Sequence, residues 1–174
     1  MSAKKLLEDA AQRPSQVAGE VLDGITEDAL HRMPEGKHNS IAWLIWHASR
    51  QQDVQIAHLS GEEQVWTAQG WDGKFDLDRG ASDFGFGDSP EDVARVRVSD
   101  PDLLQGYLDA VTAATVDYLR SLSDADLDEI IDDSWDPPVT RGVRIVSTIV
   151  DAAQHLGQAA YVRGLVQNCW RGKY

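Results

Sequence analysis

Asn39-Ser40-Ile41-Ala42-Trp43-Leu44-Ile45-Trp46-His47 is the stretch from which the fold is read. Ser40 stands where a side-chain oxygen caps the free N–H groups of a first helical turn. No proline or glycine follows until Gly61, a plausible stop. The spacing predicts a helix over residues 41–59. His47 sits on it with Trp43 and Leu44 one turn before and Val54 two turns after. An imidazole that needs polar partners therefore points along an apolar seam.

Upstream, Leu6, Leu7, Ala10, Ala11, Val17, Ala18, Val21, Leu22 and Ile25 keep a three-to-four-residue repeat straight through Pro14. That reads as one amphipathic helix, kinked or restarted at the proline, which removes an internal hydrogen bond. Downstream, Ser99 or Asp100 caps a third helix with Pro101 in its first turn, carrying the stripe Leu104, Tyr107, Leu108, Val111, Ala114, Tyr118 and Leu122. A fourth follows Asp136-Pro137-Pro138 and covers residues 143–168. Residues 60–98 break the period with Gly61, Gly70, Gly73, Gly80, Gly85 and Gly87, interspersed with Trp66, Trp71, Phe75, Phe84 and Phe86. A connection that long is often functional, and its rings must pack on the body. The expected fold is all-α: a four-helix bundle with a long crossover between helices 2 and 3, residues 1–174 forming one domain.

The bulk properties fit. At 174 residues, 42% hydrophobic and 26% charged, the chain has the composition of a globular domain. Its net charge of −13 argues against nucleic acid and anionic membrane surfaces, which reward clustered Lys and Arg. Cys169 is the single cysteine, so no disulfide forms within the chain, and its place near the end suggests a bystander. With no apolar run of signal-peptide or membrane-spanning length, a cytoplasmic protein is expected.

Five histidines carry the search for chemistry. His58 is eleven residues after His47 on nearly the same face, roughly 16 Å away and too far to share an ion. Asp151 and His155 are spaced i, i+4, so both side chains can reach one ion. With His47 they make a two-histidine, one-carboxylate set that leaves a coordination position open. The competing reading is a solvated face: on a helical wheel the pair lies opposite Val146, Ile149, Ala153, Leu156 and Ala160, beside Arg144, Thr148 and Gln158. Other motifs fail. Asp72-Gly73-Lys74-Phe75-Asp76-Leu77-Asp78 has a lysine in a calcium-ligand position and Asp83 where a glutamate belongs. Gly85-Phe86-Gly87 lacks the third glycine of a phosphate turn. The acidic run 124–133 reads as a solvated turn or short helix.

Over nearly its whole length the chain resembles DinB-like proteins, in the branch similar to mycothiol-dependent enzymes such as maleylpyruvate isomerase. The resemblance rests on residues 39–47, on Gly70-Trp71-Asp72-Gly73-Lys74-Phe75 and Gly85-Phe86-Gly87, and on Asp151-Ala152-Ala153-Gln154-His155-Leu156-Gly157-Gln158 continuing to Tyr161-Val162-Arg163-Gly164. It implies three metal ligands at His47, Asp151 and His155. The mycothiol-type enzymes use a carboxylate at the Asp151 position, typically a glutamate one methylene longer. Gln158 is then a residue behind the ligands.

The expected function is a metal-dependent thiol S-transferase. A divalent ion, zinc or nickel first, activates a low-molecular-weight thiol for attack on an electrophile; the resemblance implies mycothiol. A non-enzymatic metal-binding stress protein and a metal-assisted hydrolase are the alternatives. Trp71 would wall the substrate pocket, unless the crossover rings only cap the bundle. Arg144 would hold an anionic substrate group, unless it is a surface arginine. Apolar residues beside the polar stripe of the last helix, Val162, Leu165 and Val166, suggest a homodimer.

Overall fold

The computed structural model describes residues 2–167, 170 and 172. Four long helices build it: α1 (Ala3–Leu22), α2 (Ile41–Ser60), α3 (Pro101–Ser121) and α4 (Arg141–Val166). α1 and α2 each pack against both α3 and α4. Cys169 and Asn168 lie outside the described residues. Among the described residues no helix is long and apolar enough to cross a membrane.

The helix ends follow local chemistry. Ser40 Oγ accepts from the Trp43 N–H at 3.2 Å, and Gly61 closes α2 at φ +76°, a conformation that favours glycine. Asp100 caps α3 with Pro101 in its first turn. Pro14 neither restarts nor ends α1: the helix runs through it as one element, with the ring buried. α4 starts two residues before the expected position because Thr140 caps it.

Three features depart from the pattern reading. Residues 60–98 are not without regular structure. They hold short helices at Val65–Ala68, Trp71–Phe75 and Pro90–Arg95, and seat Trp66, Phe75, Val93, Val96 and Val98 in the core. The acidic run supplies the expected short helix, Asp124–Leu127, but then enters an unexpected strand, β1 (Ile130–Asp132), which pairs antiparallel with β2 (Val139–Thr140). Strands of two or three residues are too short to show a period.

The third departure bears on the site. Val146 is 45% exposed and Ala153 is exposed, whereas Ile145, Ile149, Ala152, Leu156 and Ala159 are buried. α4 is thus rotated from the expected wheel, because it must face α1 and α2 together. Asp151 and His155 flank its buried face on the α2 side instead of lying opposite it. Thr148, expected on the solvated side, is fully buried and holds α2: Gln51 Nε2 donates to its carbonyl at 3.1 Å, and its hydroxyl donates to Gln55 Oε1 at 3.2 Å.

Candidate metal centre

α2 and α4 run antiparallel, as the pairings of Gln51 and Gln55 with Thr148 and of His47 with His155 require. That brings His47, Asp151 and His155 together, with one ligand atom of each lying within 4.8 Å of the others. Nitrogen and oxygen ligands at about 2.0–2.2 Å from a zinc ion stand roughly 3.4 Å apart in a tetrahedron, so small side-chain rotations close the set.

Each histidine is oriented from behind. His47 is 7% exposed and stacks on Trp43, one turn earlier, with ring centroids 4.5 Å apart and planes 7° from parallel. Its Nδ1 is hydrogen-bonded to the Phe84 carbonyl. A carbonyl only accepts, so Nδ1 carries the proton and Nε2 keeps its lone pair for a ligand. Burial holds His47 below the usual histidine range, against the opposing pull of that carbonyl, so the ring is neutral. His155 meets His47 edge-on at 4.6 Å. Its Nδ1 lies 3.1 Å from Gln158 Oε1, and its Nε2 lies 3.6 Å from Asp151 Oδ1. Burial opposes the His155 charge, but Asp151's hydrogen bond and charge prevail and hold it above the usual range. The donor set fits a divalent cation: two imidazoles with their far nitrogens engaged, and one carboxylate. Asp151's side chain is 41% exposed, so the centre opens to solvent on one side.

Sequence reading missed the loop that seats His47. Gly85, at φ +85°, is pressed so closely that a Cβ would meet Trp46 at 2.9 Å and His47 Nδ1 at 3.3 Å. Only glycine lets the Phe84 carbonyl reach the imidazole there. Asp83 Oδ1 accepts from the Gly85 N–H at 2.9 Å, and Asp88 Oδ2 accepts from Trp43 Nε1 at 2.8 Å and from Arg79 at 2.6 Å. The glycines of Gly85-Phe86-Gly87 were the available signal: Gly85 permits the close approach, and Gly87 takes a left-handed turn at φ +79°.

The remaining predicted residues divide. Gln158 Oε1 lies 3.1 Å from His155 Nδ1. Trp71 leans on α3, its ring 5.6 Å from Tyr107 and tight over Gly106, with Lys74 4.0 Å above it. The aromatic ring at the trio from the crossover is Phe84, 6.2 Å from His47. Arg144 is two turns before Asp151 and donates to Asp132 Oδ2 at 3.1 Å. His58 is exposed, on the same line of α2 as His47.

The family model of the DinB superfamily matches residues 12–159. A solved structure, that of a conserved protein from Enterococcus faecalis, is 38% identical and superposes with a TM-score of 0.88, covering 95% of this chain and 98% of that one. No curated protein matches the chain.

Proposed function

This chain belongs to the DinB superfamily, and we propose that it is a metal-dependent thiol S-transferase, joining the sulfur of a low-molecular-weight thiol to an electrophilic carbon. The observation that carries the reading is the convergence of His47, Asp151 and His155 beside an open side, each histidine braced through its far nitrogen. A divalent cation, zinc or nickel, supplies there the charge that lets a thiol react as its thiolate at neutral pH. Asp151 offsets part of the cation's charge, and the Phe84 carbonyl and Gln158 keep both imidazoles aimed. Trp43 of α2 and Phe84 of the crossover pack on the His47 ring. Mycothiol is the proposed thiol, on the resemblance of the motifs around Trp43–His47 and Asp151–Gln158.

The test is turnover of monobromobimane by protein loaded with zinc or nickel, across a panel of thiols that includes mycothiol. Thiol-dependent product above the uncatalysed rate, lost in His155→Ala, is expected. Thiol-independent hydrolysis overturns the reading in favour of a hydrolase. Metal retention with no turnover of any thiol overturns it in favour of a binding protein.

We also propose a homodimer formed through the outer face of α4. Val162 is buried and Val166 half-buried, so neither presents the dimer face that the sequence pattern suggests for them. Leu165 is 53% exposed, and Val143, Val146, Val150 and Tyr161 join it at 45% or more. None of these five residues is charged, and Ser147, Ala153, Gln154 and Gly157, exposed among them, are uncharged too. Two copies at −13 each can meet along such a strip without opposing like charges. Sedimentation equilibrium should give a dimer that Val150→Glu dissociates; a wild-type monomer at all concentrations overturns the proposal.

A further inference from the structure

Arg79 is not one of the trio, yet both supports of the His47 ring lead back to it. Its guanidinium donates to Asp83 Oδ1 and Oδ2 at 3.3 and 3.1 Å, to Asp88 Oδ1 and Oδ2 at 3.2 and 2.6 Å, and to the Asp92 carbonyl at 3.1 Å. From Asp83 the first path runs through the Gly85 N–H, at 2.9 Å, to the adjoining Phe84 carbonyl, which is bonded to His47 Nδ1. From Asp88 the second runs through Trp43 Nε1, at 2.8 Å, to the indole stacked on His47. The same indole meets His155 edge-on at 6.3 Å.

The clamp is enclosed by protein. The Arg79 side chain is 9% exposed and that of Asp88 11%, and the guanidinium lies 4.7 Å over the Trp46 ring, the ring against which Gly85 is pressed. Arg50 holds the Asp83 carbonyl at 3.2 Å, but it is Arg79 that joins the two carboxylates flanking the turn. A planar fork fixes direction as well as distance, which an ammonium group cannot reproduce. Direction matters at His47. An unconstrained neutral histidine favours the proton on Nε2, the nitrogen a metal needs free here, and a hydrogen bond at Nδ1 reverses that choice. The Phe84 carbonyl makes that bond only while the turn at Gly85 is held against the ring.

Resting on the metal centre but not on the thiol reading, we propose that Arg79 is a positioning residue for that centre. By clamping Asp83 and Asp88 it holds the Phe84 carbonyl and the Trp43 indole on His47, and so sets the tautomer of that ring and the affinity for the metal. Its charge acts in the opposite sense, because a nearby cation repels a divalent ion. Loss of the clamp therefore weakens metal binding, where loss of a charge alone would tighten it.

Two readouts test this in Arg79→Met and Arg79→Lys: zinc affinity by chelator competition, and nitrogen–proton correlation NMR of the His47 ring in the metal-free protein at about pH 8. Arg79→Lys keeps the charge but not the fork, and carries the test if Arg79→Met does not fold. Both variants should bind zinc about tenfold more weakly or worse, within the range of an outer partner of a ligand histidine. Their His47 signals should shift from the Nδ1–H tautomer toward the Nε2–H tautomer. Zinc affinity unchanged or tightened in both overturns the proposal while leaving the trio standing. Weakened affinity with the wild-type tautomer retained makes Arg79 a residue of the scaffold alone and also overturns it. Wild-type protein that binds no zinc overturns the centre itself, and this proposal with it.

Discussion

His47 and Arg50 are three residues apart on α2, both buried and both polar, and the structure treats them in opposite ways. Arg50 is fully buried, and its donors end on protein acceptors: Asp53 Oδ2 at 3.4 Å, Tyr107 Oη at 3.0 Å, Gln64 Oε1 at 3.0 Å, and the carbonyls of Ala81 and Asp83 at 2.5 and 3.2 Å. Asp53 is equally committed, accepting from the Val65 and Trp66 N–H groups at 2.8 Å and from Tyr107 at 2.7 Å. This network pins the start and the middle of the crossover onto α2. At the trio, by contrast, the protein engages only the far side of each ring and turns the near atoms toward one another and toward solvent. Burial of polar groups does not separate scaffold from site. Closure does: a network complete within the protein holds the fold, and one left open awaits a ligand.

The largest expected effect lies on the closed side. Arg50→Met keeps the volume but strands Asp53, and breaking one member of such a buried pair costs about 3–5 kcal/mol. Denaturant unfolding of the metal-free protein should show it, and a cost below about 1 kcal/mol would mean that the network is not the staple described. Next comes the open side. His47→Ala and His155→Ala should each weaken zinc binding by more than about a hundredfold, exceeding the loss typical of an outer partner. Their unfolding free energies should fall by less than half of the Arg50→Met cost. Elemental analysis after dialysis, beside the same unfolding curves, checks both halves. Wild-type metal content in either variant removes that histidine from the centre.

The contrast also explains what could be read in advance. Four long helices were legible because each buries a stripe wide enough to set a period, and because Ser40, Gly61, Asp100 and Pro101 mark ends by local chemistry. The candidate trio was legible because i, i+4 spacing and one inward histidine are local features. The rotation of α4 was not, since it depends on α1 and α2 pressing on one helix from two sides. Nor was the Arg50 network, whose partners come from residues 53, 64, 81, 83 and 107. Trp71 illustrates the same limit: an aromatic ring in a loop must pack, but only the fold decides that Tyr107 receives it.

A smaller effect sharpens the open side. Gln158→Ala removes the acceptor behind His155 Nδ1 and leaves all three ligands in place. An outer partner of a metal-bound histidine contributes about 10–100-fold in affinity. Gln158 is exposed, so the low end, about tenfold, is expected from a chelator competition titration. Unchanged affinity would show that the Gln158 contact does not orient the ring.

The smallest effect concerns pH, and its sign differs between the two regions. Asp151 outweighs burial and raises His155 above its ordinary value, so in the metal-free protein that ring keeps a proton toward neutral pH. A ligand nitrogen must lose that proton, and zinc affinity should fall by about tenfold per unit once pH drops below the raised value. Burial lowers His47, so it takes up a proton only at lower pH than His155 does. For the metal-free fold the linkage runs the other way. A raised histidine stabilises below its unfolded value of about 6.5, and that contribution is lost as pH rises through the folded value. Acidification from about pH 8 to 6 should therefore weaken zinc binding while slightly firming the metal-free protein, with both trends absent in His155→Ala. The closed network has no such response. Burial pushes the Tyr107 phenol well above its ordinary value, so the group stays protonated throughout and the cost of Arg50→Met should be the same at either pH. Zinc affinity flat across that interval would show that His155 does not bind through the nitrogen that faces Asp151.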